Sequence, residues 1–207
     1  MNPFLIYHLI YSNPMQQQPF VREIKRKLFH FLSLVYAAGY FYLGKEPVLK
    51  ILVPILIIVG TVESARLIFP KLNQAILPFF GGIHRESEIK KFSGIFWTLL
   101  GCILTIWIFK DRQVVLCALG YLVFADAAAA LVGVPLGRHK FFGKSLEGST
   151  ACFVASMLVG LVFLHPGWAL AAAVLVTAIE LAPLPWNDNF WIPTLSGCFL
   201  SLKNIIL

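Results

Sequence analysis

The residues best suited to chemistry lie between positions 126 and 149. Asp126 is followed by four alanines, by Gly133 and Gly137 four apart, and by the cations Arg138, His139, Lys140 and Lys144. Gly143 and Gly148 flank 144–147, which ends on a second carboxylate, Glu147, and Ser149 follows. Carboxylate oxygens suit a hard divalent cation such as magnesium, lysine and arginine suit phosphate oxygens, and glycines let backbone amides approach closely; together these suit magnesium with a polyphosphate. Ser149 is placed to cap the next helix, whose free N–H groups and positive dipole end then form an anion seat. Gly143-Lys144-Ser145 resembles the end of a P-loop, but Walker A requires four residues between its glycines, and Gly137 and Gly143 have five between them. Serine-hydrolase and zinc-peptidase motifs are missing, and the five histidines are far apart.

The elements that must hold this loop are apolar. Of 207 residues, 58% are hydrophobic and 13% charged, where a soluble domain carries roughly a quarter charged. The apolar residues form continuous runs without strand alternation, which favours helices over a barrel. A bilayer core takes about 20 helical residues to cross, and on that measure spans are expected at 28–44, 48–69, 92–109, 113–134, 149–165, 167–184 and 190–207. The expected fold is an all-α, polytopic integral membrane protein with about seven transmembrane helices. The last two spans form a re-entrant pair or are broken by Pro183, Pro185 and Pro193. A single domain over 22–207 follows an interfacial segment at 1–21, which lacks the charged start and cleavage site of a signal peptide. Cys102, Cys117, Cys152 and Cys198 stand singly and read as small buried hydrophobes.

Charges inside spans are costly and mark function. Glu63, Asp126 and Glu180 each lie well along a span, and Asp188 begins the last one. Arg22, Lys25, Arg26 and Lys27 precede the first span; Lys71, Arg85, Lys90 and Lys91 follow the second; Arg138, Lys140 and Lys144 follow the fourth. Only Lys45, Lys50, Lys110 and Arg112 fall on the other side. The bias places the N-terminus and both long loops in the cytoplasm, so the acids, with Arg26, Lys27 and His30, gather near the cytoplasmic face as one site. Glu63 and Arg66, three apart, also fit a purely structural pair. The basic balance is explained by topology and anionic headgroups, so nucleic acid is not an expected partner.

Taken together the motifs identify a resemblance. Arg26-Lys27-x-x-His30, Glu63-x-x-Arg66, Asp126-Ala-x-Ala-Ala-x-x-Gly133-x-x-x-Gly137, Gly143-Lys144-Ser145-x-Glu147-Gly148-Ser149 and Asp188-Asn189-x-x-Ile192-Pro193 occur in the order found in the CTP-dependent lipid-alcohol kinases. That family includes dolichol kinase, the fungal-type diacylglycerol kinase and phytol kinase, and is related distantly to phosphatidate cytidylyltransferases. The resemblance implies transfer of the γ-phosphoryl group of CTP to a lipid alcohol at the cytoplasmic face of a cell or endoplasmic-reticulum-type membrane. It implies magnesium held by Asp126, with Glu147 as a second ligand. Arg26, Lys27 and Lys144 would neutralise phosphate oxygens, with Gly133, Gly137, Arg138, Ser145, Gly148 and Ser149 completing the nucleotide seat. His30 or Glu63 would be the base for the alcohol. A cytidylyltransferase would use the same nucleotide and metal on a lipid phosphate. A transporter would favour midplane sites and repeats, which the sequence lacks. The lipid and the oligomeric state stay open.

The charge asymmetry makes a direct prediction. A membrane-impermeant thiol reagent should label Ser87→Cys only from the cytoplasmic side; labelling from the outside would overturn the shared-face assignment.

Overall fold

The structure, a computed structural model, describes residues 24, 26–28, 30–76 and 90–203. The expected interfacial segment at 1–21, the basic residues Arg22, Lys25 and Arg85, and positions 204–207 of the last expected span lie outside the described residues. Among those described, the chain forms α1 (Ser33–Leu43), α2 (Lys45–Ile68), a short α3 (Pro70–Ile76), α4 (Gly94–Ile108) and α5 (Arg112–Leu136). A small antiparallel hairpin of β1 (Lys140–Phe141) and β2 (Lys144–Ser145) follows, then α6 (Leu146–Phe163), α7 (Pro166–Leu181) and α8 (Asp188–Ser201). Helical residues at 26–28 and 30–31 lead into α1.

Short polar residues begin four of these helices by accepting from orphan amides of the first turn. Ser93 accepts from Phe96 N, Asp111 from Gln113 N, and Asn187 from Asn189 N. For α6 the cap is Ser145, which accepts from Gly148 N at 3.1 Å. This corrects the expectation that Ser149 would cap: the hairpin brings the chain into helix four residues earlier, and Ser149 lies buried inside the first turn. Gly44, at φ 82°, joins α1 directly to α2. Pro183 and Pro185 fall in the connection between α7 and α8, whereas Pro193 sits within α8 without ending it.

A helix stands in each of the seven stretches read from the sequence, but the expected count of about seven membrane spans is not established by them. Three of them, α2, α5 and α6, are individually long and apolar enough to cross a membrane; α4 and α7 are apolar but shorter. At 1.5 Å per residue, the 15 residues of α4 reach roughly 23 Å, short of a core of about 30 Å. The hub is α5, whose apolar stretch is 67% buried against 17% for that of α2. Val114, Val115, Leu119, Leu122 and Val123 of α5 are fully enclosed. By contrast α2 turns Ile51, Ile55, Ile57 and Ile58 outward, an arrangement costly in water and neutral in lipid. Cys102, Cys117 and Cys152 are buried as expected, but Cys198 is exposed; it lies on the outward side of α8, where an apolar thiol meets no penalty in lipid.

Helices α5 and α6 cross with their backbones in contact. A methyl group on Gly148 would lie 2.7 Å from Ala129 O and 3.0 Å from Gly133 Cα. One on Gly137 would lie 2.6 Å from Ser145 Cβ. The glycines and alanines after Asp126 are thus what lets α6 dock.

Gly148→Ala should therefore lower the thermal midpoint of the detergent-solubilised protein, by the equivalent of about 1–3 kcal/mol for overpacking. Gly167→Ala, whose methyl would meet nothing nearer than 3.7 Å, should leave the midpoint unchanged or raise it. An unchanged midpoint for Gly148→Ala would show that the crossing tolerates the methyl.

Candidate active site

Asp126 follows immediately on a single π turn, Tyr121–Ala125, inside α5. A π turn inserts a residue into the helical repeat and re-aims the side chains beyond it. Here it turns Asp126, only 5% exposed, toward the chain preceding α1. The Lys27 ammonium donates to Asp126 Oδ2, and His30 Nε2 lies 3.5 Å from the same oxygen. Lys27 is itself 1% exposed, so two opposite charges are removed together from solvent, the condition under which burial of either is tolerated.

A second charged cluster forms across the hairpin. Lys144 Nζ lies 2.5 Å from Asp188 Oδ2 and 3.0 Å from Glu180 Oε1, joining β2 to the end of α7 and the start of α8. Burial works against the ammonium, but Asp188 and Glu180 outweigh it, and Lys144 holds its proton more tightly than an ordinary lysine. Ser149 Oγ is within reach of Glu180 Oε2 at 3.0 Å and of Ser145 O at 3.1 Å, so its single proton is placed between helix backbone and carboxylate.

The two clusters face one open cavity of about 240 Å³. The charged groups on its walls are Arg26, Asp126, Lys140, Lys144, Glu180 and Asp188. Ala129, Ala130, Gly133 and Gly148 form a wall of small residues, with Gly143 and Ser145 at the hairpin side. Three cations and three carboxylates on one surface can bind a highly charged anion together with a divalent cation. Among the described residues no three carboxylate, histidine or cysteine groups are close enough to hold a metal by themselves.

Not every residue singled out in the sequence comes to this cavity. Glu147 is engaged by His139, through Nδ1 at 2.8 Å and the backbone N–H at 3.3 Å, and so braces the hairpin. Arg138 and His139 are exposed beside it, and Gly137 is taken up by packing against Ser145. Glu63 accepts two bonds from Arg66, at 3.0 and 2.7 Å, and a third from Ser93 N at 2.7 Å. Arg66 also reaches Lys91 O. That pair ties α2 to the start of α4, away from the cavity walls. Conversely, Glu180, Asp188 and Lys140 are wall residues. The depth of Glu180 along its span and the place of Asp188 at the entrance of the last one were the signals that pointed to them; nothing in the sequence marked Lys140 apart from its basic neighbours.

No family model matches the chain, and no solved structure matches it. Relatives do. It is 30% identical to an uncharacterized protein of Rickettsia prowazekii, over 89% of this chain and 95% of that protein. It is 29% identical to the CTP-dependent diacylglycerol kinase 1 of Saccharomyces cerevisiae, over 86% of this chain and 72% of the yeast protein. A third relative, the phytol kinase of Synechocystis, is 36% identical across 113 residues, about half of each chain. The chain belongs to the CTP-dependent lipid kinase family. In this family member the cavity between α5, α6, α7 and α8 is the feature whose chemistry needs explaining.

The buried pair makes a testable prediction for this family member. Lys27→Met should destabilise the protein by about 3–5 kcal/mol, because it strands a buried carboxylate, whereas Lys27→Met/Asp126→Leu should recover much of that loss. Thermal midpoints in detergent check this; additive losses in the double variant would show that the two side chains do not act as a pair.

Proposed function

We propose that this protein transfers the γ-phosphoryl group of CTP to the hydroxyl of a membrane lipid alcohol (a diacylglycerol, a polyprenol or a phytol-type alcohol) at the cytoplasmic face. In that reaction the lipid oxygen bonds to Pγ, the bond from Pγ to the β–γ bridging oxygen breaks, and the hydroxyl proton leaves. The products are lipid monophosphate and CDP. The single observation that supports it best is the cavity itself, in which Lys144 is held by Glu180 and Asp188 opposite Asp126. Phosphoryl transfer depends on alignment and charge neutralisation more than on covalent chemistry, and these groups supply both.

Magnesium fits the donor set. The walls offer hard carboxylate oxygens, and such sites typically hold the ion by one or two carboxylates with the substrate phosphates completing the shell. Asp126 would be one ligand. Glu147, read from the sequence as the second, is bound to His139, which leaves Asp188 and Glu180 as the carboxylates that share the cavity with Asp126. The ion would neutralise phosphate charge. Arg26, Lys140 and Lys144 would bind phosphate oxygens, Lys144 by exchanging its carboxylate partners for them. Of the two bases considered, Glu63 already accepts three hydrogen bonds. His30, beside Asp126, stands nearer the reaction.

Purified protein given CTP labelled at the γ position, magnesium and each of the four alcohols diacylglycerol, polyprenol, phytol and farnesol should place label in at least one lipid. Asp126→Asn, assayed below its own lowered thermal midpoint because it strands the buried Lys27, should raise the barrier by several kcal/mol, on the order of hundreds-fold in rate. Label released as pyrophosphate, and only with a lipid phosphate as acceptor, would assign a cytidylyltransferase instead.

A further inference from the structure

Among the described residues, two non-glycine positions have positive φ: Phe142 at 48° and Trp186 at 70°. Left-handed backbone is a conformation bulky side chains rarely adopt, and it persists only where the surroundings enforce it. Both residues are exposed aromatics, Phe142 by 67% and Trp186 by 63%. Both also adjoin the cavity. Phe142 precedes the wall residues Gly143 and Lys144, and Trp186 stands two residues before Asp188.

Each is held in its exposed position by local structure. Phe142 and Gly143, at φ 48° and 79°, are the two central residues of the β1–β2 turn, whose twist demands positive φ at both places. Asparagine or glycine is the ordinary choice there. Phe141 packs edge-on to Phe142 with ring centroids 4.4 Å apart, so the tip carries two adjoining aromatic rings. Trp186 stacks on both Trp97 and Trp191, at 5.2 and 5.4 Å with nearly parallel planes.

The location says what these rings meet. The hairpin joins α5 to α6, each long and apolar enough to cross a membrane. A tight turn between two such helices cannot travel far from the boundary where both leave the hydrocarbon. Exposed Arg138, His139 and Lys140 lie at its base, complementary to anionic headgroups, and amphipathic aromatic rings favour that depth.

We infer that Phe141, Phe142 and Trp186 form an aromatic collar that seats the mouth of the cavity in the headgroup layer of an anionic bilayer, where the hydroxyl of a lipid alcohol reaches Asp126 and Lys144. The acceptor half of this statement rests on the lipid-kinase reading above; the bilayer contact does not.

The test uses the full chain carrying Phe142→Cys and Cys198→Ser, labelled with an environment-sensitive fluorophore, in phosphatidylcholine–phosphatidylglycerol vesicles. The fluorophore should be quenched by lipids spin-labelled near the top of the acyl chain and shielded from aqueous iodide. Iodide quenching with no effect of the spin-labelled lipid would overturn the collar. Shielding that vanishes when the protein is diluted in lipid would also overturn it, because a second copy would then cover the tip. In a second arm, Phe142→Asn and Trp186→Asn suit the left-handed backbone. Phe142→Asn should keep or raise the thermal midpoint, whereas Trp186→Asn also loses two ring stacks and should lower it modestly; both should raise the KM for the lipid alcohol several-fold and leave that for CTP unchanged. An unchanged lipid KM would refute the role in acceptor access. A lipid-quenched tip on a protein inactive with every alcohol would support the collar and count against the kinase reading alone.

Discussion

Asp126 is a carboxylate almost without solvent, set in a helix of small and apolar residues. In such surroundings an anion persists only beside a cation, and the cost of leaving either one alone is several times that of a lost surface ion pair. Lys27 meets this requirement from a chain position 99 residues away. The pair consequently fixes where the segment before α1 lies against α5, the helix around which the others are arranged. It also brings Arg26 to the cavity wall and His30 to within 3.5 Å of the same oxygen. The π turn before Asp126 belongs to this arrangement, since a regular helix would aim the carboxylate elsewhere.

The small residues that follow Asp126 act in a different way. Gly133 and Gly148 lie on the cavity wall and also pack on one another, letting α5 and α6 touch. That contact draws the hairpin down until Lys144 reaches Glu180 and Asp188 on two other helices. Packing of small residues and convergence of charge are therefore one event: widening the crossing by a methyl would move the lysine as well as the helix.

Similarity to relatives and the cavity bear on different questions. The relatives establish the family at about 30% identity across most of the chain. The charged surface bounds what chemistry this member can perform. The lysine caught between two carboxylates is an arrangement in which the positive and negative groups satisfy each other; under the proposed reading a more highly charged ligand would compete for them.

From the sequence alone, much of the fold could be read, because continuous apolar runs of helix length leave few alternatives to a helix in lipid. Asp126, Glu180 and Asp188 stood out for the same reason, as charges where charge is costly. The sequence could not say which cation answers which acid, since helix periodicity carries no information about neighbours on other helices. Glu63-x-x-Arg66 read equally well as a structural pair, and Glu147 read as a second carboxylate beside Asp126; three hydrogen bonds to Glu63 and His139 against Glu147 engage them in bracing α4 and the hairpin. The cap of α6 moved from Ser149 to Ser145 because a two-residue turn with left-handed backbone, invisible as such in Phe142-Gly143, starts the helix early. Tertiary packing alone decided that Lys27 answers Asp126 and that Lys144 answers Glu180 and Asp188, because those groups are separated by tens of residues along the chain; the contacts of Glu147 and Ser145 are local, but follow from a turn geometry that residue types did not signal.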